Sequence, residues 1–254
     1  RTKQLTILHT SDTHSRIEPI DSHAADQYAG MGGVVRRATF LKDYRAKHPD
    51  VLLYDCGDIS QGTPYYNLFQ GEVEVKMMNL MGYDAMTIGN HEFDFGLDNM
   101  ARLFRKADFP VVCANYDVTG TVLEGLVKPY VVLNRNGMKI GVFGLSPKME
   151  GLVQADKCEG IVYNDPIAVA QKIADRLRTK EGCDGVVCLS HLGFRINNGV
   201  CDEKLAAETK GIDVILVGIL IPLWRSLLFS LMPRAKVFRY CIRVRMVFLL
   251  ENWI

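Results

Sequence analysis

Several things are missing from this chain, and each absence narrows what it can be. There is no CxxC pair: the seven cysteines stand at 56, 113, 158, 183, 188, 201 and 241, an odd count that does not fit a full disulfide framework. They read as small core residues. No uncharged apolar stretch approaches the roughly 20 residues that a membrane-spanning helix needs. In the C-terminal segment the longest lies between Arg225 and Arg234. No charge of one sign dominates: the formal net charge is +1, which gives neither a nucleic-acid-binding signal nor an acidic tail. Repeats and low-complexity segments are absent. An initial Met is absent too; a chain opening on Arg1 is expected to be a processed or trimmed product whose signal peptide has gone. What remains is an ordinary globular composition, 48% hydrophobic and 23% charged, over 254 residues. That length fits one large α/β domain with a sizeable core.

Two further absences are local. None of the 22 glycines lies after Gly218, and none of the six histidines follows His191. From Arg1 to Gly218 there are 24 basic and 28 acidic residues, whereas from Ile219 to Ile254 there are 6 basic residues and one acidic. Both tryptophans, Trp224 and Trp253, fall in this second segment. So abrupt a break predicts two origins, one unit over 1–218 and an unrelated tail over 219–254.

Within the first segment, short β-branched runs alternate with amphipathic stretches, the pattern of an α/β fold with parallel strands. Strands are expected at Leu5–Leu8, Val51–Tyr54, Ala85–Ile88, Pro110–Ala114, Val186–Leu189 and Val214–Leu216. Tyr130–Leu133 and Met138–Phe143 read as a hairpin turning at Asn136-Gly137. Helical spacing predicts helices from Val34 to near His48, from Pro64 to Met81 and from about Leu97 to Lys106. A last one runs over Asp165–Arg178, with Asp165 as N-cap and Pro166 at the first helical position. The Met77, Met78 and Met81 stripe reads as core packing rather than a soft-metal site.

Polar residues able to bind metal gather where strands end: Ser11-Asp12-Thr13-His14, Cys56-Gly57-Asp58, Gly89-Asn90-His91-Glu92-Phe93-Asp94 and Ser190-His191. Open α/β sheets bind ligands at the carboxyl ends of their strands, so these four loops should share one rim. Carboxylate, amide and imidazole donors suit two divalent ions, Mn, Zn, Fe or Mg, better than a thiolate site does. Two ions about 3.5–4 Å apart can clamp a phosphoryl group and acidify a water, and holding them that close needs a shared carboxylate. Asp58 is the best placed for it. Asp12 and His14 then hold one ion, and Asn90 and His191 the other. His91, one residue past a ligand, can act as acid or charge stabiliser, with Asp94 orienting its ring. Glu92 reads as a supporting contact more than as a ligand. His9 points away from its strand neighbours and reads as structural.

The strings ILHTSDTH, DCGDISQG, TIGNHEFDFG and CLSHLG, in this order between about Leu5 and Leu216, resemble the calcineurin-like metallophosphoesterases, specifically the 5'-nucleotidase and UDP-sugar hydrolase branch. The resemblance implies a four-layer α-β-β-α sandwich, disrupted at its C-terminal end, and the residue roles just given. It implies two-metal hydrolysis of phosphate monoesters, most plainly nucleotides, outside the cytoplasm (periplasmic or extracellular). The alternatives are a phosphodiesterase or general phosphoester hydrolase. In that branch a separate C-terminal domain holds the nucleoside, so a further domain or chain is an expected partner. Asn115 resembles the branch's Ala-Asn segment; a substrate-side role and a turn role both remain open for it.

After Leu216 the branch continues Gly-Gly-His-Ser-His-Thr, and its two histidines complete the metal shells. This chain reads Val217-Gly218-Ile219-Leu220-Ile221-Pro222 instead. A codon choice for Ile219 to Leu227, read two bases into codon 218, restores His-Ser-His-Thr. A one-base loss near codon 217 therefore accounts for the tail. Read as translated, the chain lacks a ligand at each ion, which makes an inactive copy that keeps the fold the rival reading.

Overall fold

A computed structural model describes residues 3–25, 29–195, 199–218 and 242–248, the last of these through its backbone. In chain order the elements are β1 (Lys3–Thr10), α1 (Val34–Lys47), β2 (Leu52–Asp55), α2 (Pro64–Phe69), α3 (Glu72–Met81) and β3 (Ala85–Met86). Then come α4 (Gly96–Phe104), β4 (Val111–Val112), β5 (Tyr116–Asp117), β6 (Val127–Lys128), β7 (Tyr130–Arg135) and β8 (Met138–Leu145). The remainder are β9 (Val162–Tyr163), α5 (Pro166–Thr179), β10 (Gly185–Ser190), α6 (Asp202–Glu208), β11 (Val214–Val217) and β12 (Ile242–Phe248).

Two sheets face one another. One is parallel throughout, in the order β12-β1-β2-β3-β4-β6; the other runs β11-β10-β8-β7 and is parallel except for the β7–β8 hairpin. Between them lies an apolar layer in which Leu5, Ile7, Leu52, Tyr54 and Val112 meet Ile140, Val142, Val187, Leu189 and Leu216. Strands buried on both faces must be apolar at successive positions, and β2 and β10 are buried at every residue. Residues of α1, α3 and α4 cover the outer face of the first sheet, in a cluster that includes Leu41, Val75, Met78 and Leu103. α5 covers the second through Ala170, Ile173 and Leu177, with Leu205 of α6 beside them. The result is the expected four-layer α-β-β-α sandwich. Each such aliphatic side chain contributes about 1.5–3 kcal/mol on full burial.

Local sequence accounts for most element ends. Asp165 accepts a hydrogen bond from the Ala168 amide (2.8 Å) and Pro166 opens α5. The hairpin turns through Asn136 and Gly137 at φ 51° and 65°, the left-handed pair of a type I′ turn. The single helix expected over Pro64–Met81 is instead two: Gln70 and Gly71 take left-handed φ values of 54° and 95°, which ends α2 and restarts the chain as α3. The apolar period continues across the break, so periodicity conceals it. Helix α6 was not expected. From 219–254, β12 pairs in parallel with all but the last residue of β1, Lys3 to His9 against Ile242 to Phe248, and adds one strand to the first sheet. The remainder of that segment lies outside the described residues, as does Cys241. The other six cysteines are free, and five of them are buried.

Candidate metal centre

The parallel strands β1, β2, β3 and β10 all end on one rim, and each delivers its loop there. Past β1 the chain turns sharply, with Asp12, His14 and Ser15 at φ 52°, 42° and 58°. Past β2, Asp58 stands at φ 57°. Non-glycine residues in this region are uncommon and persist where surrounding contacts over-determine them. Here the contacts are the amide–carbonyl bonds Asp12 to Gly57 (2.9 Å), His14 to Asp58 (3.0 Å) and Ser15 to Ile59 (2.8 Å), which zip the two loops together.

The zip brings Asp12, His14 and Asp58 into one group whose donor atoms all lie within 4.8 Å of one another. His14 Nε2 is 3.9 Å from Asp12 Oδ1 and 3.9 Å from Asp58 Oδ2. From the opposite side, His191 at the end of β10 places Nε2 3.2 Å from the same Asp58 Oδ2. Asp58 thus stands between two imidazoles that come from different sheets. Asn90 follows Gly89, and a Cβ on Gly89 would run into Asp58 Oδ1 and stand 2.5 Å from its amide. Only glycine permits that approach.

Each histidine is held by its other nitrogen. His14 Nδ1 lies 3.1 Å from the Ser60 carbonyl and His191 Nδ1 2.6 Å from the Cys56 carbonyl. A carbonyl only accepts, so Nδ1 carries the proton in both rings and Nε2 turns to the cluster. His191 is fully buried, and its Nε2 has no hydrogen-bond partner. A buried imidazole lone pair aimed at a carboxylate, beside two more oxygen and nitrogen donors, fits a divalent cation. With no cation present, burial pulls the His191 pKa down, but the Asp58 carboxylate outweighs it and pushes the value up to about 9. Burial conversely raises Asp58, and His191 with the His91 amide more than offsets it, holding the carboxyl below its ordinary value.

His91 is half-exposed on the open side. Its Nδ1 lies 3.1 Å from Asp94 Oδ2, its amide donates to Asp58 Oδ1 (2.9 Å), and its ring stands 5.4 Å from that of His14. Glu92 points the other way and is buried. Asn115 lies beside the end of β8. It is fully buried; its Nδ2 donates to the Ser146 carbonyl (2.8 Å) and its Oδ1 accepts from the Ser146 amide (2.9 Å). Its amide clips the end of β8. His9 is buried, and desolvation lowers its pKa to about 4, as befits a structural histidine. Sequence alone missed the carbonyls of Cys56 and Ser60, because a main-chain acceptor has no signature in residue identity.

A calcineurin-like phosphoesterase model matches residues 5–218. The chain belongs to the calcineurin-like phosphoesterases. A snake venom 5'-nucleotidase of Gloydius brevicauda is 38% identical over 221 residues, which is 85% of this chain and 36% of that protein. The human 5'-nucleotidase is 35% identical over 222 residues, 85% of this chain and 38% of its own length. Among solved structures, a 5'-nucleotidase precursor from Thermus thermophilus superposes with a TM-score of 0.75 at 34% identity, covering 83% of this chain and 41% of that one. The chain therefore spans little more than a third of the curated relatives it matches. The matched region stops at Gly218, and a Cβ there would come within 2.9 Å of His191 Nδ1. Whatever follows Gly218 leaves from directly behind a candidate ligand.

Proposed function

We propose that residues 1–218 form the catalytic part of a metal-dependent hydrolase of phosphate monoesters, with nucleotides as substrates. The observation that carries this is the position of Asp58 Oδ2, flanked by His14 Nε2 at 3.9 Å and His191 Nε2 at 3.2 Å. One carboxylate between two imidazoles could serve two divalent ions at once. Asp12 and His14 serve one ion, Asn90 and His191 the other, and Asp58 both. Divalent ions held by these residues would supply charge to polarise a phosphoryl group and to make a water nucleophilic near neutral pH. His91, with Asp94 behind its Nδ1, presents Nε2 to the departing alkoxide and donates a proton to it. Nucleotide preference rests on the 5'-nucleotidase names of the relatives. A place outside the cell rests on the venom relatives, and no helix among the described residues is long and apolar enough to cross a membrane. A nucleoside-binding domain beyond this region accords with the length of the relatives.

The second reading is an inactive copy. It is favoured by Ile219 and Ile221 where the branch carries histidine, just past the residue that abuts His191. Phosphate release from AMP and from bis(4-nitrophenyl) phosphate, with Mn²⁺ or Zn²⁺, tests both. We expect AMP hydrolysis from the frame-restored protein and little from the chain as it stands. Hydrolysis of the diester alone would replace the monoesterase reading with a phosphodiesterase one.

A further inference from the structure

The geometry points to Glu92 as a positioning residue that latches the two metal-bearing loops together and fixes the distance from Asp58 to Asn90 and His91. Glu92 sits in a short 3-10 turn, His91–Phe93, and its side chain turns inward to 2% exposure. Its Oε2 accepts from the amides of Asp58 (2.9 Å) and Gly89 (2.6 Å). Its Oε1 accepts from the amides of Ile59 (3.0 Å) and Ser60 (3.3 Å). One carboxylate therefore gathers four N–H groups, three from the loop after β2 and one from the loop after β3. The exchange is reciprocal, because the His91 amide donates back to Asp58 Oδ1 at 2.9 Å. Residues 91 and 92 hold both ends of Asp58, its main-chain N–H and its carboxylate.

Three consequences follow from the chemistry of that group. A carboxylate offers about four acceptor sites. Four amides occupy them, so Glu92 is not itself a ligand. The three successive N–H groups of Asp58, Ile59 and Ser60 point at one anion, which stabilises the left-handed φ of 57° at Asp58. Finally, neither conservative replacement can do the same. Glutamine would turn an NH₂ toward two N–H donors, and aspartate, one methylene shorter, cannot reach both loops.

This assignment rests on reading Asp58 as the shared ligand, so the test separates the two. Glu92→Gln and Glu92→Asp would be compared with wild type and with Leu177→Ala, a fully buried α5 residue far along the chain from these loops. Amide hydrogen exchange would be run on the 254-residue chain, and Mn²⁺ titration on that chain and on its frame-restored form. We expect exchange at Asp58, Ile59, Ser60 and Gly89 to accelerate at least about tenfold more in both Glu92 variants than in Leu177→Ala, and Mn²⁺ affinity to weaken about 10–100-fold, the usual effect of removing a ligand's support. The latch is overturned if those four amides respond no more than the rest of the protein. It is also overturned if they loosen while Mn²⁺ affinity stays within about twofold of wild type. Should the frame-restored protein neither bind Mn²⁺ nor release phosphate from AMP, the two-metal reading fails, and the exchange pattern alone decides for or against the latch.

Discussion

His191 Nε2 lies 3.2 Å from Asp58 Oδ2 although the two residues are 133 positions apart and belong to loops of different sheets. Neither sheet alone makes this contact. It exists because the inner apolar layer presses β2 and β10 together with their carboxyl ends on the same rim.

That relationship makes Asp58 the residue whose loss affects both sides. In the frame-restored protein, Asp58→Asn is expected to abolish phosphate release and to lower metal content at both sites, since one carboxylate serves two ions. Metal analysis of the purified variant checks it. Two ions retained at wild-type affinity would show that Asp58 is not shared.

His91 should behave otherwise. Its ring is half-exposed and paired with Asp94 rather than aimed into the cluster. His91→Ala is expected to cut turnover by about two to four orders of magnitude with metal content little changed. Metal loss equal to that of Asp58→Asn would make His91 a ligand instead.

Gly89→Ala is a purely steric test. Its Cβ would collide with Asp58 Oδ1 and stand 2.5 Å from the Asp58 amide. The fold should survive, while metal affinity drops at least about tenfold as Asp58 shifts. Circular dichroism with Mn²⁺ titration would measure both, and unchanged affinity would disprove the close approach.

Asp55 sets a pH dependence of stability. Burial raises its carboxyl, and although Thr10 and the Gly57 amide partly oppose this, the value reaches about 7 against an ordinary 3.8. The folded chain then binds a proton that the unfolded chain gives up earlier. The stability from Asp55 is fully present below about pH 3.8, is lost as pH rises toward 7, and changes no further above that. Urea unfolding without metal should therefore show Asp55→Asn gaining on wild type between about pH 4 and 7. A stability difference constant across that range would contradict it.

The tail carries the last prediction. Restoring one base near codon 217 is expected to recover His-Ser-His after Gly218, two-metal binding and phosphatase activity together. Resequencing the gene checks the frame directly. A continuous frame in a protein that hydrolyses nucleotides with two bound metals would refute the frameshift.

Much of this protein is determined by the sequence alone. Strand-and-helix alternation, the Asp165-Pro166 helix start and the Asn136-Gly137 turn are local, because backbone propensity and capping act within a few residues. The candidate ligands were legible as well, since they cluster at strand ends in short, chemically distinctive strings. Tertiary structure alone decided three things. It broke the Pro64–Met81 helix at Gln70-Gly71, where left-handed φ values and the close approach of Leu103 to Gly71 interrupt the helix within a continuous apolar period. It turned Asn115 inward to Ser146, a partner 31 residues away that no local pattern announces. It assigned Glu92 to four main-chain amides and His14 and His191 to main-chain carbonyls. Every residue type carries those same amides and carbonyls, so only the folding of distant loops onto one rim determines which of them meet.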